Sequence, residues 1–257
     1  MSAQDPAPPP NNPGAGPQTG EMPLLEHMRE FRDRLVITAG VILVTTLLTI
    51  VFAERLIDFL AAPARSHVSE EQFRLIYTKP FGYIGAYFRV GLLGGITLSM
   101  PVIVYEVLMY LTPALSPQEK RWTIPTVLGV ALSFVLGCAF AYYVVLPPAM
   151  YFLLTFGEGT AEPYIEIGAY IDFVTRMIGG IGFTFETPLI IMFLARMGIV
   201  SSKKLIGWWR YAIVLAFVTS AVITPTIDPV TQSLVAGPII ALYAVGIVLA
   251  RIFGRRP

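Results

Sequence analysis

The 257 residues are 55% hydrophobic and only 14% charged, against roughly 25% charge in an average soluble domain, so water is not the solvent for most of this surface. Net charge is +1 and the 18 basic residues sit around the ends of apolar segments instead of gathering into a patch, which argues against a nucleic-acid partner. A single cysteine, Cys138, excludes an intramolecular disulfide, and His27 and His67 are the only histidines, so neither a Cys-rich metal site nor an ordinary zinc centre is expected.

Residues 1–20, MSAQDPAPPPNNPGAGPQTG, have almost nothing to bury and are expected to form a disordered Pro-rich tail ahead of a single transmembrane domain over 21–257. The first apolar run is too long for a signal-peptide core and no small-residue cleavage pattern follows it, so no cleaved targeting segment is read. PLLEHMREFRDRL sets Leu24, Leu25, Met28 and Phe31 against Glu26, Arg29, Glu30, Asp33 and Arg34, as in an interfacial amphipathic helix leading into the first span. Glu30 and Arg34, four apart, are also spaced to pair with each other.

Apolar windows follow at 36–53, 81–104, 124–146, 171–195, 211–224 and 234–250, which predicts six transmembrane helices and an all-α polytopic membrane protein. Between the first two, Glu54 to Ala62 is amphipathic and is expected to lie on the membrane face. Arg210 and Pro225 leave at most 14 residues for the fifth window, about 21 Å of helix, so the last two helices are expected to be short. Pro101, Pro188 and Pro238 each remove an intrahelical hydrogen bond, and repeated kinks favour a cupped bundle over a straight one.

Charge sets the orientation. Arg29, Arg32, Arg34, Lys120, Arg121, Arg196, Lys203, Lys204, Arg210, Arg251, Arg255 and Arg256 all fall on one side of a six-span arrangement, while the other side holds only Arg55, Arg65, Arg74 and Lys79 outside the spans. Both termini are therefore expected in the cytoplasm. The loop at 147–169 carries Glu158, Glu162 and Glu166 without one basic residue, as an external loop can. Tyr142, Tyr143, Trp208, Trp209 and Tyr211 fall at span ends, where aromatic rings prefer the headgroup level.

Function is sought where the apolar pattern breaks. The acids inside or beside the runs are Glu106, Glu186 and Asp228. Glu186, in GIGFTFETPLIIMF, costs about 2.5–3.5 kcal/mol if charged at a helix centre; it serves either function or a hydrogen bond to a neighbouring helix. Asp228, in TPTIDP, is either a functional acid or the cap of the last helix. Glu30 and Glu119 could together make an anionic patch for a basic ligand at the headgroup level, or stand as separate solvated charges. Arg89 and Arg176 lie within spans and read as stabilisers or topology determinants. Glycines at Gly91, Gly94 and Gly95 and at Gly179, Gly180 and Gly182 suit close helix packing. There is no HExxH, nucleophile elbow, Walker loop or dinucleotide turn, so neither an enzyme nor a cofactor is expected.

HMREFRDRL resembles the HLxELRxRL signature at the start of the TatC family, the polytopic core subunit of the twin-arginine protein translocase. The resemblance continues through SMPVIVYEVLMYLTPALSPQEKR, FAYYVVLPPAMYFL, GIGFTFETPLIIMFLARMGIVSSKKL and TPTIDPVTQ, in order, over about residues 22–250. It implies a multi-pass protein of the bacterial cytoplasmic membrane that receives twin-arginine signal peptides and exports folded cargo using the proton-motive force. It implies single-span partner subunits of the TatA and TatB type, further copies of the chain itself and the lipid bilayer as partners. Glu30 and Glu119 match the two acids associated with the arginine pair, and Arg32, Tyr110, Pro113, Leu115 and Arg121 match neighbouring positions. Glu186 matches the polar residue associated with contacts to partner subunits, and Pro101, Pro188, Asp228 and Arg89 are structural or coupling candidates. The chain departs from the family in having Tyr110 where phenylalanine is frequent and one extra residue in TPTID relative to TPPD. The rival class is a proton-coupled small-solute transporter using Glu186, Asp228 and Arg89; a membrane-embedded enzyme ranks below both.

Overall fold

The computed structural model describes residues 24–65, 75–111, 123–157, 164–226 and 228–254. The long first helix α1 (Leu24–Ile50) is followed by α2 (Ala53–Arg65), the two-residue strand β1 (Leu75–Ile76) and α3 (Gly82–Leu111). Then come α4 (Thr123–Phe140), a π-helical turn at Ala141–Val145, and α5 (Leu146–Thr155). After β2 (Ile165–Glu166) the chain forms α6 (Ile167–Thr184), α7 (Thr187–Arg196), the short α8 (Ser202–Gly207), α9 (Trp209–Ile223) and α10 (Pro229–Phe253).

Five helical segments are long and apolar enough to cross a membrane: Glu26–Ile50, Gly82–Tyr110, Thr123–Thr155, Ile167–Arg196 and Pro229–Phe253. The exposed faces of these helices are lined with residues such as Val36, Leu43, Leu47, Leu98, Leu128, Leu132 and Val248. Backbone polar groups satisfied within each helix and apolar side chains turned outward are what a lipid solvent requires, and the chain is a multi-pass membrane protein. The fifth expected span, α9, has 15 residues, about 22 Å. The expectation that the last helix is also short is corrected: α10 runs 25 residues. Hydropathy misses its first turn because Thr231, Gln232 and Ser233 are polar, yet Asp228 caps that turn by accepting from Thr231 N at 2.6 Å and Pro229 suits the first helical position.

Three other boundaries differ from the sequence reading. The amphipathic segment and the first span are one unbroken helix, with no junction between Leu24 and Ile50. Residues 147–155, expected in a loop, continue the third span as α5, with Pro147 and Pro148 in its first turn where missing N–H groups cost least. The run from Glu54 lies against the bundle, with Ile57, Leu60 and Ala61 in the same core as Val90 of α3, Met150 of α5 and Ile171 of α6. Tyr142 and Tyr170 clamp it from below by donating to Phe59 O and Leu60 O at 2.8 and 2.7 Å. Tyr142 is thus a buried packing residue instead of a headgroup anchor, whereas Tyr143 remains exposed.

Helix α6 is the hub, burying Ile171, Val174, Met177 and Ile181 almost completely. Helices α1 and α3 approach through Gly91 and Gly95, one turn apart on α3. Thr49 Oγ1 donates to Gly91 O at 2.6 Å and Thr45 Oγ1 to Gly95 O at 2.9 Å. A side chain at Gly95 would collide with the backbone of Thr46, so the expected small-residue seam is present. Helix α3 passes Pro101 and α10 passes Pro238 without interruption, while Pro188 falls in the first turn of α7, just past the break after α6. β1 and β2 pair in parallel, Leu75 with Ile165, and tie two connections together at one end of the bundle.

Candidate functional site

The end of the bundle where α1 begins and α3 ends holds a cluster built from facing turns of these two helices. On α1, His27, Glu30, Phe31 and Arg34 recur at the three- and four-residue spacing that shares a helix face; on α3, Glu106 and Tyr110 are one turn apart. Arg34 joins the two helices. Its Nη2 donates to Glu30 Oε1 at 2.6 Å and its Nη1 to Glu106 Oε2 at 2.9 Å, with Nε adding a 3.0 Å bond to Glu30 Oε1. The Tyr110 ring stacks on His27 at 4.5 Å and meets Phe31 at 5.4 Å. A cleft lined by Glu26, Arg29, Glu30, Asp33, Arg34 and Ile37 opens alongside.

Two carboxylates share one guanidinium here, so the cluster keeps a net negative charge. All three side chains are largely withdrawn from solvent, Glu106 at 11% exposure. Glu30 Oε2 is buried and accepts no hydrogen bond among the described residues. A buried carboxylate oxygen without a donor is costly, and a second guanidinium would satisfy it with a charge-assisted bond.

Of the residues expected from the sequence, Glu30 bonds to Arg34 and Tyr110 packs on His27 and Phe31 of the same α1 segment. The sequence reading gave Glu106 no role beyond its place in an apolar run. The available signal was the alignment of Glu106 one turn before Tyr110, which becomes informative only once α1 and α3 are known to be neighbours. Arg32 is not brought to this face: two positions after Glu30 it points away, exposed, and pairs with the adjacent Asp33 at 2.7 Å. Pro113, Leu115, Glu119 and Arg121 lie outside the described residues.

Glu186 occupies the break between α6 and α7. It is 5% exposed and neither carboxylate oxygen has a hydrogen-bond partner among the described residues, so no helix neighbour there supplies the structural bond that was the alternative reading. Ser133 Oγ donates to Phe185 O at 2.9 Å beside it, and Phe183 and Ile190, three residues before it and four after, are exposed. Asp228 is a helix cap. Its carboxyl is subject to desolvation, which raises its pKa, but the bond from Thr231 N and the nearby Thr226 and Thr231 hydroxyls outweigh this and hold it below the usual aspartate value. Arg89 belongs elsewhere again, pairing with Asp172 of α6 at 3.4 Å and donating to Gly168 O at 3.3 Å. Glu186, Asp228 and Arg89 share no bond or ion pair among the described residues, so the arrangement gives a solute-transport relay no support.

Comparison with known proteins decides the family. The family model described as Sec-independent protein translocase protein (TatC) matches residues 26–238. This chain belongs to the TatC family. A TatC from Desulforapulum autotrophicum is 38% identical over 91% of this chain and 86% of its own length, and one from Deinococcus radiodurans is 34% identical over 93% and 89%. A crystal structure of the twin-arginine translocase receptor TatC superposes with a TM-score of 0.80 at 35% identity, covering 89% of this chain and all of that one. The chain is therefore a component of a protein translocase, and the TatC match covers both α1 and α3, which carry the Glu30, Arg34 and Glu106 cluster.

Proposed function

We propose that this chain is the signal receptor and core subunit of a twin-arginine translocase in the bacterial cytoplasmic membrane, exporting folded proteins at the expense of the proton-motive force. Family membership supports the export function. The observation that carries the receptor role is the unpartnered Oε2 of Glu30 in a cluster where Glu30 and Glu106 share only Arg34. One arginine of the signal takes that oxygen, and Glu119, on the connection that follows α3, supplies the second carboxylate. Tyr110, Pro113, Leu115 and Arg121 shape the surface between them. A guanidinium suits this task better than an ammonium because its fork engages carboxylates in two parallel bonds.

In this reading six helices cross the membrane, with α9 short enough to thin the bilayer locally. The positive-inside distribution puts both termini and the acidic cluster in the cytoplasm. The hydrophobic part of the signal lies along the bundle, and single-span partners of the TatA and TatB type seat beside Phe183 and Ile190, where Glu186 offers them a polar anchor. Six helices are too few to enclose folded cargo, so partners and further copies of the chain complete the passage. Each charge moved with the membrane potential contributes about 2.3 kcal/mol per 100 mV to such a rearrangement.

The test is photo-crosslinking of a twin-arginine signal peptide to Glu30→Gln, Glu106→Gln and Glu119→Gln variants in membranes. Capture falls for Glu30→Gln and Glu119→Gln, and a Lys-Lys signal is captured less well than an Arg-Arg one. Undiminished capture by both variants at normal expression overturns the receptor assignment.

A further inference from the structure

At the opposite end of α3 lies a second ionic cluster with the reverse composition. Asp172 of α6 forms ion pairs with two arginines at once, with Arg176 Nε 2.9 Å from Oδ2 and Arg89 Nε 3.4 Å from Oδ1. With both carboxylate oxygens engaged, the group keeps one net positive charge. Arg89 spends a second donor on Gly168 O; the Nη groups of Arg176 and Nη2 of Arg89 have no partner among the described residues. Both guanidinium-bearing side chains are about half exposed, 46% for Arg89 and 54% for Arg176. Along α6 from Tyr170 to Gly182, Arg176 alone is exposed while its neighbours are buried or half-buried. On α3, Arg89 stands among the exposed Phe88 and Leu92. The surroundings are therefore lipid, not an aqueous cleft.

Depth identifies the ligand. Helix α3 has 30 residues, about 45 Å against a hydrocarbon core of about 30 Å, so some 7 Å projects at each end when it is centred. Arg89 follows Gly82 by seven residues and sits about 10 Å along the axis, just inside the hydrocarbon boundary. Its guanidinium turns back toward the near surface, lying over Gly85 one turn earlier, and Arg176 likewise reaches back one turn to Asp172. The unused donors are thus presented at headgroup level between two helices.

We propose that Arg89 and Arg176, held apart by Asp172, bind the phosphate of an anionic phospholipid in the leaflet opposite the start of α1. A phosphodiester accepts paired N–H groups from guanidinium and neutralises the residual charge, and its acyl chains lie on Phe88 and Leu92. A zwitterionic lipid would bring its own cation to a cationic site. Free phosphate would have to shed water into a lipid-facing surface. The proposal is independent of signal recognition, because no residue of the acidic cluster takes part.

The test uses the purified full chain in phosphatidylcholine nanodiscs with a trace of phosphatidylglycerol carrying a photoreactive acyl chain. Labelling concentrates on α3 and α6 near Arg89 and Arg176, and unlabelled phosphatidylglycerol competes several-fold better than phosphatidylcholine. Arg176→Gln and Arg89→Gln each lower that preference by about tenfold, and Arg176→Lys retains part of it. Since Arg176 is exposed, Arg176→Gln keeps the thermal unfolding midpoint in pure phosphatidylcholine and remains interpretable. Equal competition by the two lipids, an unchanged preference in both glutamine variants, or displacement of the label by inorganic phosphate overturns the lipid site.

Discussion

Helix α3 carries two ionic triads of opposite composition, Glu30–Arg34–Glu106 at one end and Arg89–Asp172–Arg176 at the other. Glu106 and Arg89 are 17 residues apart, about 25 Å along the helix. In the first, acids outnumber the base, the groups are mostly withdrawn from solvent and one carboxylate oxygen is left unpaired. In the second, bases outnumber the acid and their spare donors face outward. The same chemistry thus leaves a negative remainder at one membrane surface and a positive one at the other. Each triad bridges α3 to a different helix, α1 or α6, so the two can be broken separately.

The largest separation comes from the seam between α1 and α3. Gly95→Leu places a side chain against the backbone of Thr46; overpacking of this kind costs about 1–3 kcal/mol or forces the helices apart. The acidic triad needs α1 and α3 together, whereas the basic one needs α3 and α6. Signal crosslinking should therefore be lost to the level of Glu30→Gln, with lipid labelling near Arg176 retained. Joint loss of both readouts would show that α3 itself has moved.

Next in size is Arg34→Gln. Two largely buried carboxylates then face each other without a counter-charge. Removing one partner of a buried pair costs about 3–5 kcal/mol, which the partial exposure of this cluster reduces to roughly 1–3 kcal/mol. A lowered unfolding midpoint in detergent checks this, and Glu106→Gln combined with Arg34→Gln should restore much of the loss. Arg34→Lys keeps the charge but cannot bridge both acids as a planar fork, so its midpoint should fall between wild type and Arg34→Gln.

The acidic triad was only half legible in the sequence. Spacing placed Glu30 and Arg34 as a pair within one helix, and family resemblance drew Tyr110 to them. The third member, Glu106, depends on the neighbour relation of α1 and α3, which no local pattern states. Arg32 shows the converse: it matches a family position by sequence, but helical phase turns it away from Glu30. The Arg89 partnership was hidden for the same reason as Glu106, since Asp172 lies 83 residues later on another helix. Spans were legible because lipid imposes length and apolarity. The exceptions were helical turns made by polar or proline-containing residues, at Pro147 and at Thr231, where capping and packing override hydropathy.

The smallest effect belongs to Asp228, which lies outside both triads and serves as their control. Its side chain caps α10 through Thr231 N, and replacing such a cap by alanine costs about 1 kcal/mol. The folded-state pKa lies below the ordinary aspartate value of 3.8, so the charged cap contributes fully above that pH. The contribution is lost as pH falls through the lower folded-state value. The stability gap between wild type and Asp228→Ala should therefore be constant near neutrality and close only below about pH 3.8. Asp228→Asn keeps an acceptor for Thr231 N but has no charge to titrate, so its gap to Asp228→Ala should not vary with pH. Unfolding midpoints of the three proteins across this range check the claim, and a gap closing above pH 5 would show that a group other than Asp228 controls the turn. Signal capture and lipid preference should both survive Asp228→Ala; a change in either would mean that the turn before α10 is coupled to that triad through the bundle.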